Sequence, residues 1–260
     1  MRKFAFAALA TMTVATPAMA EDGSWTGGYG GITAGYNVSK SDSAVTLGGA
    51  WTTSAAALQT LVVSNMSVKQ QTKGGDIGIA LGYQYQTGGV VFGLEAEAAA
   101  IGGNAVRSSG TVTYSAAQNF KFTNTIDPKT MIALKARLGG VVGENTLIYL
   151  NGGWAWVSAN HAATVTASEL TGLGLLANGN YLKQGLTSKT HNGFIIGGGV
   201  EHRISNNFSL RLQYDYTDQG DVSYPTTYLP TSLNTTPAYS ETVSQNLRVH
   251  LIRVGFNYHF

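Results

Sequence analysis

Hydrophobic and polar residues alternate with a period of two over long stretches of the chain, the signature of strands with two unlike faces. From Ile252 to Phe260 one face carries Ile252, Val254, Phe256, Tyr258 and Phe260; the other carries Arg253, Gly255, Asn257 and His259. Phe208–Thr217 repeats the pattern, with Phe208, Leu210, Leu212, Tyr214 and Tyr216 against Ser209, Arg211, Gln213, Asp215 and Thr217. Asp76–Gln86 and Val90–Ala98 do the same. Thr87-Gly88-Gly89, Gly143-Glu144-Asn145 and Ser205-Asn206-Asn207 have the chemistry of tight turns and join neighbouring runs as hairpins. The pattern predicts eight strands, over 25–37, 75–86, 90–101, 130–142, 146–159, 191–204, 208–219 and 245–260. Four long connections separate the hairpins, 38–74, 102–129, 160–190 and 220–244, all rich in Ser, Thr, Asn and Ala. Ser54–Val63 is the place for a short surface helix.

Short turns at one end, long connections at the other and an even strand count are the plan of a transmembrane barrel. The expected fold is all-β: an eight-stranded antiparallel up-and-down barrel with short periplasmic turns and four long extracellular loops. With the apolar face outward, aromatic residues fall into two bands. Trp25, Tyr83, Tyr85, Phe92, Phe208, Tyr258 and Phe260 lie near the short turns. Tyr36, Trp154, Trp156, Phe194, Tyr214 and Tyr216 lie near the long connections. Ile79, Leu134, Leu150, Ile196 and Leu212 fill the belt between, as expected of a bilayer flanked by two interfaces.

The inward face carries the acids Glu95, Glu97, Glu201 and Asp215 and the bases Lys135, Arg137, Arg203, Arg211 and Arg253. Eight strands leave an interior just wide enough for side chains to fill, and a lone charge there is costly. Near balance of sign therefore predicts a network of salt bridges closing the lumen. Glycines of the same parity, such as Gly31, Gly82, Gly197 and Gly255, make room for the long side chains.

Composition narrows the picture further. Only 12% of the 260 residues are charged, cysteine is absent, and glycine numbers 33. A disulfide scaffold and a thiolate metal site are excluded. Arg2 and Lys3, the apolar run Phe4–Val14 and the small-residue step Ala18-Met19-Ala20 before Glu21 form a secretory signal peptide. Residues 1–20 are expected to be cleaved, leaving 21–260 as the barrel domain with Glu21 at its start. Cleavage removes two of the 16 basic residues and none of the 14 acidic ones, so the mature chain has no formal net charge. Nucleic acid is not an indicated partner.

Several strand motifs resemble those of the small OmpA-like outer-membrane barrels, in particular the α-proteobacterial outer-membrane immunogenic or "porin family" group. Trp25-Thr26-Gly27-x-Tyr29-x-Gly31 with Ala34-Gly35-Tyr36 is similar to that group's first strand, and Val91-Phe92-Gly93-Leu94-Glu95 to its third. Lys135-Ala136-Arg137-Leu138-Gly139 resembles the fourth, with Lys135 in place of the usual Arg. Gly197-x-Gly199-Val200-Glu201, Ser209–Asp218 and Arg253–Phe260 resemble the sixth, seventh and last. The resemblance covers the strands and none of the long connections. It implies that Phe256, Tyr258 and above all Phe260 are read by the outer-membrane assembly machinery. The chain stops at Phe260, so no peptidoglycan-binding domain is expected to follow. Outer-membrane lipid, lipopolysaccharide, periplasmic chaperones and, through the loops, host surface molecules are the expected partners.

Motifs for serine or zinc hydrolases, dinucleotides and Walker-type nucleotide sites are missing. Asp218 and Asp221 near the seventh strand's outer end do not by themselves make a catalytic set, and no cofactor is called for. His161 and His191 flank the third long connection and read as solvated rim residues. Because some relatives in the resembling group are called hemin-binding, the resemblance also makes the two imidazoles a candidate ligand pair for iron or another metal. The expected function is a non-enzymatic surface barrel supporting envelope integrity and contact. A narrow pore and capture of a ligand such as hemin remain open.

Overall fold

A computed structural model of the chain describes residues 24–115, 118–169, 180–233, 235 and 238–260. The expected cleavage region, Ala18, Ala20 and Glu21, lies outside the described residues. The elements in chain order are β1 (Gly27–Gly49), a 3-10 turn (Ala50–Thr53), α1 (Ala56–Met66), β2 (Lys69–Thr87), β3 (Val90–Ile101), β4 (Ala105–Ser115), β5 (Gln118–Val142), β6 (Thr146–Glu169), β7 (Asn180–Arg203), β8 (Phe208–Pro225), β9 (Thr227–Tyr228) and β10 (Tyr239–His259).

The sheet closes on itself. Antiparallel pairing runs β1–β2–β3–β5–β6–β7–β8–β10 and back to β1, a ring of eight strands. Closure leaves no edge in the ring, so backbone polar groups are paired where water is absent. The helix is too short and insufficiently apolar to cross a membrane; the strands do the spanning. Closure also joins the two ends of the chain, where the Phe260 amide donates to the Gly28 carbonyl at 2.9 Å.

The long connections are at one end, as expected, but strand pairing runs far into them. β1 and β10 stay paired up to Gly49 and Tyr239, and β6 and β7 up to Ser168 and Asn180. β4 forms a further hairpin with β5. Alternation continues there with its polarity reversed. On β10, Ile252 and Val254 are exposed while Arg253 and Asn257 are buried; farther out Val243, Leu247, Val249 and Leu251 are buried and Arg248 and His250 are partly exposed. The lower half of the barrel is apolar outside and polar inside. The upper half is a water-facing wall around a core that joins apolar side chains to buried polar ones such as Asn124, Gln245 and Glu241. Val62 and Met66 of α1 are buried in that core beside Phe122, Val165 and Val243, so the helix fills the barrel rather than lying on its surface.

β5 changes face at one point. Below Thr130 the odd residues Met131, Ala133, Lys135 and Arg137 are buried; above Pro128 the even ones Phe120, Phe122, Asn124 and Ile126 are. The register shift between Pro128 and Thr130 inserts the extra residue that switches parity. Proline, which has no N–H to give, is tolerated at such a bulge.

The barrel interior as candidate functional site

Tyr36, Tyr83, Tyr85, Phe92, Trp154, Trp156, Tyr214, Tyr258 and Phe260 all stand on the outer face with 37–59% of their surface exposed, and Tyr216 is partly exposed beside them. Ile79, Leu134, Leu150, Ile196 and Leu212 form the exposed aliphatic belt between the two rings. Trp25 departs from the expectation. It precedes β1, is fully buried, and lies inside the periplasmic mouth with the Arg203 guanidinium 4.3 Å from its ring and His259 edge-on at 5.7 Å. Trp25 has the same parity as Tyr29, Thr33 and Asn37, which face inward on β1, so strict alternation already places it inside; the outward expectation departed from that parity.

Within the lower half, Lys135 is the hub. Its Nζ lies 2.8 Å from Glu95, 2.6 Å from Glu97 and 3.6 Å from Asp215. Glu95 also meets Arg211 and accepts from the Tyr29 hydroxyl at 2.8 Å. Arg137 donates to Tyr29 and to Glu201, each at 2.7 Å, and stacks 3.8 Å over the Tyr149 ring. Glu201 is further held by Ser209 at 2.6 Å and Asn257 at 2.8 Å, with His259 3.3 Å away. Arg253 bridges Glu97 and Asp76. All these carboxylates and cations are buried. Alternating parity on β2, β3, β5, β7, β8 and β10 delivers them to one layer; register places Glu95 opposite its partner Lys135, whereas Glu201, opposite Arg211, pairs instead with Arg137, and Arg211 with Glu95.

Two assignments change. Asp76, on the inward face of β2, joins the network as a fifth carboxylate; it was legible as a polar position but not as an ion-pair partner. Arg203 stands apart at the mouth, donating to the Ser24 carbonyl and stacking on Trp25, with no ion pair among the described residues. A methyl group on Gly82 would collide with the Tyr29 ring, and one on Gly197 with Asp215, so these glycines are the space the network occupies.

Above the network an apolar layer of Met131, Ile195, Leu247, Val249 and Leu251 crosses the interior. His161 and His191 lie beyond it, five residues past Trp156 and three past Phe194. They are buried, not solvated at the rim, with 2% of their surface exposed. Their Nε2 atoms are 2.7 Å apart, and His161 Nδ1 is 2.8 Å from Gln245 Oε1. That oxygen also accepts from Tyr224, so His161 Nδ1 is the donor and one proton lies between the rings. Burial lowers both pKa values, His191 to about 4. Two imidazoles sharing an iron axially need their nitrogens about 4 Å apart, twice a metal–imidazole bond, with a macrocycle between them. These two face each other directly in a packed interior and do not fit haem. Farther out, Glu241 accepts from Trp51 at 2.6 Å and pairs with Lys183, beside a cavity of about 50 Å³ walled by Phe120, Tyr181 and Tyr239. Neither residue was legible as a partner, because both lie in stretches whose apolar face is inward.

An eight-strand closed ring, two outward aromatic rings around an aliphatic belt and a charged lower lumen define an outer-membrane β-barrel. The chain belongs to the outer membrane protein beta-barrel domain family, whose model matches residues 5–260. It is 28% identical over 253 residues to the 31 kDa outer-membrane immunogenic protein of Brucella melitensis biotype 1, covering 94% of this chain and 88% of that one. An uncharacterized protein of Coxiella burnetii is 28% identical over 239 residues, 90% and 83% of the two chains. Among solved structures, the Pseudomonas aeruginosa outer membrane protein OprG covers 92% of this chain and 100% of its own, with 14% identity and a TM-score of 0.47. The protein is thus located in the outer membrane of a Gram-negative bacterium.

Proposed function

We propose that this barrel is a closed, non-enzymatic element of the envelope, contributing to its integrity and presenting its outer half as a contact surface. The observation that carries the reading is the stack of layers across the interior. The ion-pair network of Glu95, Glu97, Lys135, Arg137, Glu201, Arg211 and Arg253 is followed by the apolar layer and then by the core around α1. Eight strands enclose little more than such side chains, so no aqueous bore remains. The narrow-pore and haem-receptor readings have no comparable support.

In this reading Phe256, Tyr258 and Phe260 present the assembly machinery with an outward aromatic edge, after periplasmic chaperones have delivered the unfolded chain. The outer extensions of β1, β5, β6 and β7 meet lipopolysaccharide and host surface molecules. Planar-bilayer recording of purified barrel, with dye sensitivity of a deletion strain, tests the proposal. Expected are the absence of steady conductance and a leakier envelope in the deletion. Steady nanosiemens-scale conductance by the wild type overturns it.

A further inference from the structure

We propose that one side of the barrel, β10–β1–β2, is a specific docking site for a lipid with a phosphorylated headgroup in the outer leaflet. The proposal rests on the outer-membrane location and is independent of whether the lumen is closed.

The first observation is charge placed just beyond the outer aromatic ring. Lys40 lies four residues past Tyr36 on β1, about 10 Å along the barrel axis for a 3.3 Å rise and a tilt of about 40°. In register it stands directly opposite Arg248 on β10, and Lys73 of β2 is opposite Val38, two residues away. Lys69 follows, opposite Asp42. Like charges directly opposed across strands are unfavourable. Asp42 pairs with Arg248, and Asp218 faces Arg248 from β8. Among the described residues no carboxylate forms an ion pair with Lys40, Lys69 or Lys73, and all three are exposed. Across the barrel Lys129 is paired with Asp127 at 2.6 Å, and the same level also carries the exposed Lys189 of β7, opposite Ala159.

The second observation lies below, on β10, β1 and β2 and continuing onto the neighbouring β3 and β5. A lipid-facing groove of about 710 Å³ runs beneath the basic cluster, floored by Ala34 and Ala98 and edged by Ile32, Ile77, Ile79 and Val254. Small residues recess the wall where acyl chains would lie. Basic headgroup contacts above an apolar channel fit one amphiphile, with phosphate oxygens on the lysines and chains in the groove. A soluble anion would use only the upper half.

The test uses the folded wild-type barrel in neutral detergent micelles. Diphosphorylated lipid A, its dephosphorylated form and inorganic phosphate are the probes, and retained lipid is counted by native mass spectrometry. K40Q/K69Q/K73Q should weaken lipid A binding on the order of 100-fold, about fivefold for each basic contact. A98F, which fills the groove, should weaken it without removing charge. K121Q/K189Q/R107Q, which removes the same charge elsewhere on the outer half, should bind as wild type. Heat-modifiable gel migration verifies that each variant is folded. Equal loss in the two triple variants, equal binding of the dephosphorylated lipid, or displacement of lipid A by equimolar inorganic phosphate overturns the proposal.

Discussion

Replacing Lys135 by methionine isolates the hub of the lumen. Its ammonium is fully buried, 2.8 and 2.6 Å from two carboxylates. With an effective dielectric constant near 20, each contact is worth about 6 kcal/mol of attraction. Desolvation of the ammonium offsets several kcal/mol of that sum. Breaking a buried pair by removing one partner costs about 3–5 kcal/mol, and two partners place this site at the upper end. The sign of the imbalance matters too. The connected network holds five carboxylates (Asp76, Glu95, Glu97, Glu201, Asp215) and four permanent cations (Lys135, Arg137, Arg211, Arg253). Removing Lys135 worsens the excess, whereas Glu97→Gln relieves it. K135M should therefore lose about 4–5 kcal/mol and E97Q markedly less, with E97Q recovering part of the loss in the K135M background. Urea unfolding in micelles, followed by tryptophan fluorescence for the full double-mutant cycle, measures this. A K135M loss under about 1 kcal/mol, or strictly additive losses, would refute the reasoning.

Trp25→Ala should cost about 3–5 kcal/mol, as for a core tryptophan, because Trp25 is buried against Arg203 and His259; a neutral change in the urea midpoint would return it to the outer face. Phe260→Asp should sharply reduce assembled barrel in cells, measured as the heat-modifiable fraction. A charge near the interface costs only about 0–1 kcal/mol by itself, so normal levels would remove the recognition role of Phe260. His161 and His191 bind protons less readily when folded than at the ordinary value of about 6.5, so the unfolded chain takes up more protons below about pH 6.5, for His191 down to about pH 4. Their contribution to stability is complete above pH 6.5 and is lost as pH falls toward 4, on the order of 3 kcal/mol for His191. H161Q/H191Q should flatten that part of the pH profile; an unchanged slope would count against the buried pair.

The period-two pattern alone carried the strand number, the short turns, the outward aromatic rings and the residues of the charged layer, because a strand spanning a bilayer must show lipid one face and the lumen the other. Outside the bilayer that rule reverses. Val243, Leu247 and Val249 alternate as regularly as Ile252 and Val254, but inward, since water now lies outside. A reading keyed to outward apolar residues therefore ends β1, β6, β7 and β10 too early and leaves α1 on the surface. Which charges meet is also beyond local pattern. Glu97 and Arg253, or His161 and His191, are brought together by closure of the ring and by register across it. Parity states which way a side chain points; only the closed barrel decides what it finds there.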